Sequence, residues 1–297
     1  MPPPRRRLPP AGQPRALQAL GASLPPRLRN PQLLGCGQQG VVLAAHHAEH
    51  GLRVVIKALR PELGRYPHDV ARLRQESTLL RRMESPGIPR VVDQGTLADG
   101  RPWFAMTPAP GAPLDPSRAA LPGAAIVRAA CRILQRAHDA GVIHRDLKPE
   151  HIWTDGRRVE IIDWGAATAI EGASSQPWSG TLEGSPAFMS PEHARGEDPA
   201  RHHDLWSMGA TLWTVLTGSP PHTGSGDAVL ERVRRGTPPR LDADTARGRC
   251  RWWWGLLEVA RRTMSPALRD RPASAEQLGL WMDPWLDAPA LHEVASA

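Results

Sequence analysis

One stretch limits what this chain can become: Val142 to Gly165, reading VIHRDLKPEHIWTDGRRVEIIDWG. Two aspartates stand in it, each after a short apolar run. Val142-Ile143 leads into His144-Arg145-Asp146, and Val159-Glu160-Ile161-Ile162 leads into Asp163-Trp164-Gly165. The second run is β-branched and follows Asp155-Gly156, a turn signal, so it reads as a hairpin strand. Polar loops fed by strand ends are where reactive groups tend to sit. A lone aspartate after a strand is usually a turn former, whereas two so placed can hold a metal and accept a proton.

The chain before this stretch reads as a small sheet. Gln32 to Leu43, QLLGCGQQGVVL, spaces Gly35, Gly37 and Gly40 as G-x-G-x-x-G, with Val42 after them. Glycines let backbone amides approach phosphates. The spacing alone is weak, because ordinary turns and dinucleotide folds share it, but a dinucleotide fold needs a helix next. Here Val41 to Ala45 predicts a second strand instead. Arg53 to Leu59 predicts a third, with Lys57 inside its apolar run. A lysine there is costly unless paired or facing a cleft, and an edge lysine snorkelling to water is the plainer alternative. A helix follows from about His68 to Met83, with Val70, Leu73, Ser77 and Leu80 on one stripe and Glu76 beside it. Ile88–Gln94 and Arg101–Met106 complete about five antiparallel strands. Thr107 to Pro113, TPAPGAP, breaks the pattern. Beyond it Ile126, Ala130, Ile133, Leu134 and Ala137 keep a helical stripe that Gly141 ends. The fold class is α+β.

Composition narrows the setting. With 297 residues, 40% hydrophobic and 23% charged, the chain can build a globular core. No run of about 18 apolar residues suggests a membrane span. Residues 1–31 are Pro- and Arg-rich, lack an apolar signal core, and read as a disordered leader or docking arm. Residues 287–297 read as a frayed tail. Cys36, Cys131 and Cys250 are odd in number and far apart, which argues for a reducing cytoplasm rather than a disulfide framework. The net charge of +7 would suit nucleic acid. It rests almost wholly on arginine in a chain rich in Ala, Pro and Arg, a bias that points to genome composition, so no nucleic acid is expected. The two lysines, Lys57 and Lys148, both fall inside motifs. Trp252, Trp253, Trp254, Trp281 and Trp285 read as helix packing rather than an aromatic cage.

His-Arg-Asp-Leu-Lys-Pro-Glu followed by Asp163-x-Gly165 looks like the catalytic and metal-binding loops of protein kinases. Gly184 to Glu192 resembles the end of an activation segment, with Ser-Pro-Glu where the family carries Ala-Pro-Glu. Asp204 to Gly209 resembles the start of the buried central helix of the large lobe. Arg271 matches the arginine that pairs with the motif's glutamate, so Glu192 and Arg271 are a predicted buried ion pair. From about Gln32 to Leu286 the chain is similar to bacterial eukaryotic-like (Hanks-type) serine/threonine protein kinases. The resemblance implies a bilobal protein-kinase fold. A small antiparallel-sheet N-lobe with one helix would span 32–106, a hinge 107–113, and a larger, mainly helical C-lobe 114–286.

The resemblance also implies roles. Asp146 would accept or orient the proton of a protein Ser or Thr hydroxyl, and Lys148 would contact the γ-phosphate of ATP. Lys57, paired with Glu76, would fix the α- and β-phosphates. Gly35, Cys36, Gly37 and Gly40 would cover the nucleotide. Val42 and Val55 would pack on adenine, and Met106, Thr107 and Ala109 would meet its edge. Asp163 would hold Mg2+. Arg145 would pair with a phosphate on the activation segment, with Thr181 favoured over Ser174, Ser175 and Ser179. Ser185 would support Asp146 in the substrate pocket. Such phosphoryl transfer asks the protein mainly for positioning and for positive charge near the equatorial oxygens.

Besides the serine of Ser-Pro-Glu, and Thr107 where the family commonly has an acidic residue, three further positions depart from the family pattern. His151 stands where the family has the asparagine that supplies the second metal ligand. An imidazole is a softer donor than an amide oxygen, so neutral His151 would favour Mn2+, and protonated His151 would repel the metal. Val55 replaces alanine, and Trp164 replaces phenylalanine after Asp163. The alternative to an active kinase is therefore a pseudokinase, binding nucleotide or serving as a scaffold.

Overall fold

The computed structural model describes residues 23–37, 40–170 and 184–287. The chain divides into two compact units, residues 1–81 with 89–108, and residues 82–88 with 109–297.

The first unit is a five-stranded antiparallel sheet in the order β1-β2-β3-β5-β4 with one long helix. Its strands are β1 (Leu28–Cys36), β2 (Val41–His47), β3 (Leu52–Ala58), β4 (Val91–Thr96) and β5 (Pro102–Met106). Helix α1 (Pro67–Arg82) lies between β3 and β4 in the chain. Alternation drives the pairing: along β2, Val41, Leu43 and Ala45 are buried. They join Leu28, Val54, Ile56 and Ala105 in the core of this unit. β1 starts at Leu28, ahead of the expected Gln32. Its ladder to β2 runs from Leu28 and Arg29, skips Asn30 and Pro31, and resumes at Gln32. Proline has no N–H for a ladder, so the strand continues through an irregularity that hides its first residues from a reading of the pattern. Likewise β4 begins at Val91 rather than Ile88, beyond Pro89. His47, buried at the end of β2, shares Asp93 of β4 with Arg27 (3.2 and 2.6 Å), tying the chain ahead of β1 to the sheet.

The second unit is mainly helical. After β6 (Ala112–Pro113) come α2 (Ala120–Asp139), β7 (Val142–Ile143), β8 (Ile152–Thr154), β9 (Val159–Ile161) and β10 (Thr168–Ala169). Then come α3 (Pro191–Ala194), α4 (Arg201–Thr217), α5 (Gly226–Arg234), α6 (Ala243–Ala246), α7 (Arg251–Thr263) and α8 (Ala275–Leu286). The short strands make a β6-β8-β9 sheet and a β10-β7 pair. The expected hairpin is β8–β9, with Ile152 opposite Ile161. Helix α4 is buried from His203 to Leu216, polar residues such as Asp204 and Thr211 included, and serves as the axis on which α2 and α7 pack. The tryptophans follow the packing expectation. Trp253 is buried and donates to the Leu216 carbonyl at 3.1 Å. Arg262 lies over the Trp281 ring. Trp254 is an exception, 41% exposed. Among the described residues no helix is long and apolar enough to cross a membrane.

Candidate active site

In the first unit, Lys57 sits on β3 opposite Val42 of β2 and Phe104 of β5. It is buried and donates to Glu76 Oε1 at 2.7 Å, with both side chains under 10% exposed. The helix that carries Glu76 brings it from 19 residues away, so the predicted pair forms. A buried lysine with a carboxylate partner resolves the cost that its position imposes. The glycine turn closes through Gly37 N–H to the Gly40 carbonyl at 2.9 Å. A Cβ at Gly40 would collide with the Ala58 carbonyl oxygen, which accounts for glycine there; nothing lies within 4 Å of a Cβ at Gly35 or Gly37. Cys36 ends β1, exposed. Val55 pairs with Met106, the last residue of β5. Thr107 is paired twice with Arg90, its N–H donating to the carbonyl at 2.9 Å and its hydroxyl accepting the N–H at 3.0 Å. Ala109 opens the second unit.

In the second unit, Asp146 is held at both carboxylate oxygens. Oδ1 accepts the Ser185 N–H at 2.8 Å, and Oδ2 lies 3.0 Å from Lys148 Nζ. Lys148 also donates to Ser185 Oγ at 2.7 Å, closing a three-membered network. Gly184 turns at φ +115°, and a Cβ there would press within 3.2 Å of the Arg145 carbonyl, so glycine lets Ser185 approach.

The backbone of this loop is strained and anchored. Arg145 takes φ +71°, a left-handed conformation that costs a residue with a Cβ about 1 kcal/mol or more. Asp204, fully buried in α4, receives the N–H groups of His144 (2.9 Å) and Arg145 (2.8 Å). Its Oδ2 also meets His138 Nε2 at 2.9 Å. Burial alone would raise the Asp204 carboxyl, but the His138 hydrogen bond and the neighbouring imidazoles outweigh it and hold the group below its ordinary value. The sequence marked Asp204 only as the start of a buried helix, and His138 went unremarked. An aspartate and a histidine on buried helix faces are the signal that could have found them.

Two histidines have their protons fixed by what they touch. His144 Nε2 faces the Ile162 carbonyl at 3.0 Å, and a carbonyl only accepts, so Nε2 carries the hydrogen and Nδ1 accepts the Asp146 N–H at 3.3 Å. His144 thereby ties the Asp146 loop to the residue before Asp163, with its ring packed on Trp164. His151 Nδ1 faces the Asp146 carbonyl at 2.7 Å, which leaves the Nε2 lone pair 3.4 Å from Asp163 Oδ2. Burial lowers the His151 pKa, ahead of the opposing pull of Asp163, so the ring is neutral near pH 7. Neutral nitrogen and carboxylate so spaced can share one cation with donor bonds of about 2.1 Å. No group of three or more His, Cys, Asp or Glu among the described residues could hold a metal unaided. A cation here needs further donors, as phosphate oxygens would supply.

Glu192 and Arg271 form the predicted buried pair, a two-pronged contact of 2.8 and 3.0 Å. Arg271 Nε also donates to the Ser265 carbonyl at 2.7 Å. Thr181, Ser174, Ser175 and Ser179 lie outside the described residues.

This combination defines a protein kinase domain: a lysine–glutamate pair on a five-stranded sheet, and an aspartate clamped by a lysine and a serine on a helical unit. Residues 28–242 match the protein kinase domain family, and the chain belongs to it, among the bacterial Hanks-type serine/threonine kinases. It is 31% identical over 269 residues to the serine/threonine-protein kinase pkn2 of Myxococcus xanthus, covering 85% of this chain and 31% of that protein. Similarity to pkn3 of the same organism is 31% over 278 residues, 86% of this chain and 49% of that protein. The serine/threonine-protein kinase PknB of Mycobacterium leprae is 32% identical over 223 residues, 70% of this chain and 35% of that protein. The chain thus spans between 31% and 49% of the length of these relatives.

Proposed function

We propose that this chain transfers the γ-phosphoryl group of ATP to serine or threonine hydroxyls of a protein. The observation that carries the reading is the clamped Asp146: one oxygen on the Ser185 amide and the other on Lys148 hold the carboxylate in one orientation. Asp146 orients the incoming hydroxyl and takes its proton. Lys148 and Lys57 place positive charge around the phosphates, and Glu76 keeps Lys57 extended toward its task. Gly35, Gly37 and Gly40 let backbone amides lie over the phosphate chain, and Met106, Thr107 and Ala109 offer main-chain groups to adenine. Asp163 and His151 would hold a divalent cation, Mg2+ or Mn2+, which would supply positive charge to neutralise the phosphates. The lone pair on His151 Nε2, a softer donor than oxygen, favours Mn2+.

The test is transfer of label from γ-labelled ATP to the chain and to a generic basic protein, with Mg2+ and Mn2+ in parallel. Transfer that falls at least 10³-fold in Asp146→Asn and is faster with Mn2+ is expected. ATP binding without transfer in either metal would mean a pseudokinase.

A further inference from the structure

The second unit carries an open groove of about 600 Å³ that shares no residue with the site at Asp146, Lys148, His151 and Asp163. It is lined by Ile170, by the chain entering α4 at Pro199–His202, by Leu205, and by the turn at Leu268–Ala273. Two observations set it apart. Ile170 and Leu268, both on its wall, are 38% and 49% exposed, among the few large apolar side chains left in water among the described residues. Among the described residues the charged side chains that line the groove are basic or imidazole, Arg201, Arg269, Arg271 and His202, with Glu192 and Asp270 behind them. Arg271 is neutralised by Glu192. Among the described residues Arg201 donates to the His138 carbonyl, and Arg269 approaches Asp270 no closer than 3.9 Å with its side chain 88% exposed. Two guanidinium groups therefore stand beside exposed apolar surface, the second with only a long contact to a neighbouring carboxylate.

We propose that this groove docks a partner protein through a segment that alternates acidic and large apolar side chains. Apolar residues would cover Ile170 and Leu268 over Leu205, and carboxylates would reach Arg201 and Arg269, whose forked donors suit them. The chain's own leader has the wrong charge, since residues 1–22 hold Arg5, Arg6, Arg7 and Arg15 and no acidic residue. A peptide fits better than an acyl chain, because both apolar walls open to solvent rather than enclosing a sleeve. The groove is wired to the loop at Asp146. Ile170 N–H donates to the Gly141 carbonyl at 2.8 Å, just ahead of β7, and Arg201 holds the His138 carbonyl at 2.9 Å. Docking here would place a substrate or regulator on the elements that support that loop. The inference goes beyond the phosphotransferase reading and does not depend on it.

The test is binding of the full chain to an array of decapeptides in which Glu or Asp alternates with Leu, Ile or Trp. Matched arrays carry Lys for the acids, or Ser for the apolar residues. Retention at least tenfold above both controls is expected. It should fall at least tenfold in Leu268→Ser/Arg269→Glu and persist in Leu268→Met/Arg269→Lys. Both positions lie at the surface, so the variants fold, and unchanged thermal midpoints check this. Equal retention on the lysine or serine arrays, or retention untouched by Leu268→Ser/Arg269→Glu, would overturn the proposal. Because the array reads binding, it gives its answer whether or not label transfer succeeds.

Discussion

Each unit buries a glutamate against a lysine or arginine, and these two pairs are built differently. Lys57 meets Glu76 as a point charge at 2.7 Å on the sheet unit. Arg271 meets Glu192 as a fork at 2.8 and 3.0 Å on the helical unit, with its third nitrogen on a backbone carbonyl. A guanidinium fork fixes direction as well as charge, so the second pair joins α3 to the turn ahead of α8 as architecture. An ammonium on a flexible stem holds position without fixing every donor, which suits a group that must also meet a ligand. Burial and charge are alike in the two pairs, and the chemistry of the cation is what sets the proposed ligand-binding pair apart from the architectural one.

The comparison breaks most visibly at Arg271. Arg271→Ala strands Glu192 as a buried carboxylate, and a loss of about 3–5 kcal/mol is expected, read as a fall in the urea midpoint. The doubled replacements sharpen it. Arg271→Met with Glu192→Leu should recover most of that stability and keep label transfer within about tenfold, because apolar groups can substitute for a buried pair. Lys57→Met with Glu76→Leu should also unfold at nearly the wild-type midpoint, yet lose transfer by at least 10²-fold. Equal loss of activity in both doubles would erase the distinction. The smallest expected effect concerns Glu160, on β9 beside the site. Burial pushes its carboxyl up to about 7 from an ordinary value of 4.5. Its folded value is raised, so its contribution is fully present below pH 4.5 and is lost as pH rises through about 7. Glu160→Gln should therefore stabilise the chain by about 1 kcal/mol at pH 8, after discounting for partial exposure, and change nothing at pH 4, by urea unfolding at both.

Much of this was legible in the letters. Lys57 inside an apolar strand demanded a partner, but choosing the helical glutamate 19 residues on rested on the family likeness. The two aspartates at strand ends were visible because apolar runs stop where they stand. Glu192 and Arg271, 79 residues apart, could be paired only through the family likeness, since no local pattern links them. Sequence was silent where tertiary contacts decide. The Asp204 anchor depends on a helix meeting a loop about 60 residues earlier. The proton positions on His144 and His151 depend on which carbonyls face the rings. The true start of β1 was masked by Pro31, because propensity at that residue opposes the pairing that its neighbours make.

The scarcity of lysine has a practical consequence. The chain's side-chain amines are Lys57 and Lys148 alone, one among the candidate site residues of each unit, with side chains 9% and 20% exposed. An amine-directed acylating reagent thus has no lysine decoys on the surface. Acylation at Lys57 or Lys148, located by peptide mapping, reports that the amine is accessible, and a nucleotide bound as proposed would be read as loss of that mass gain.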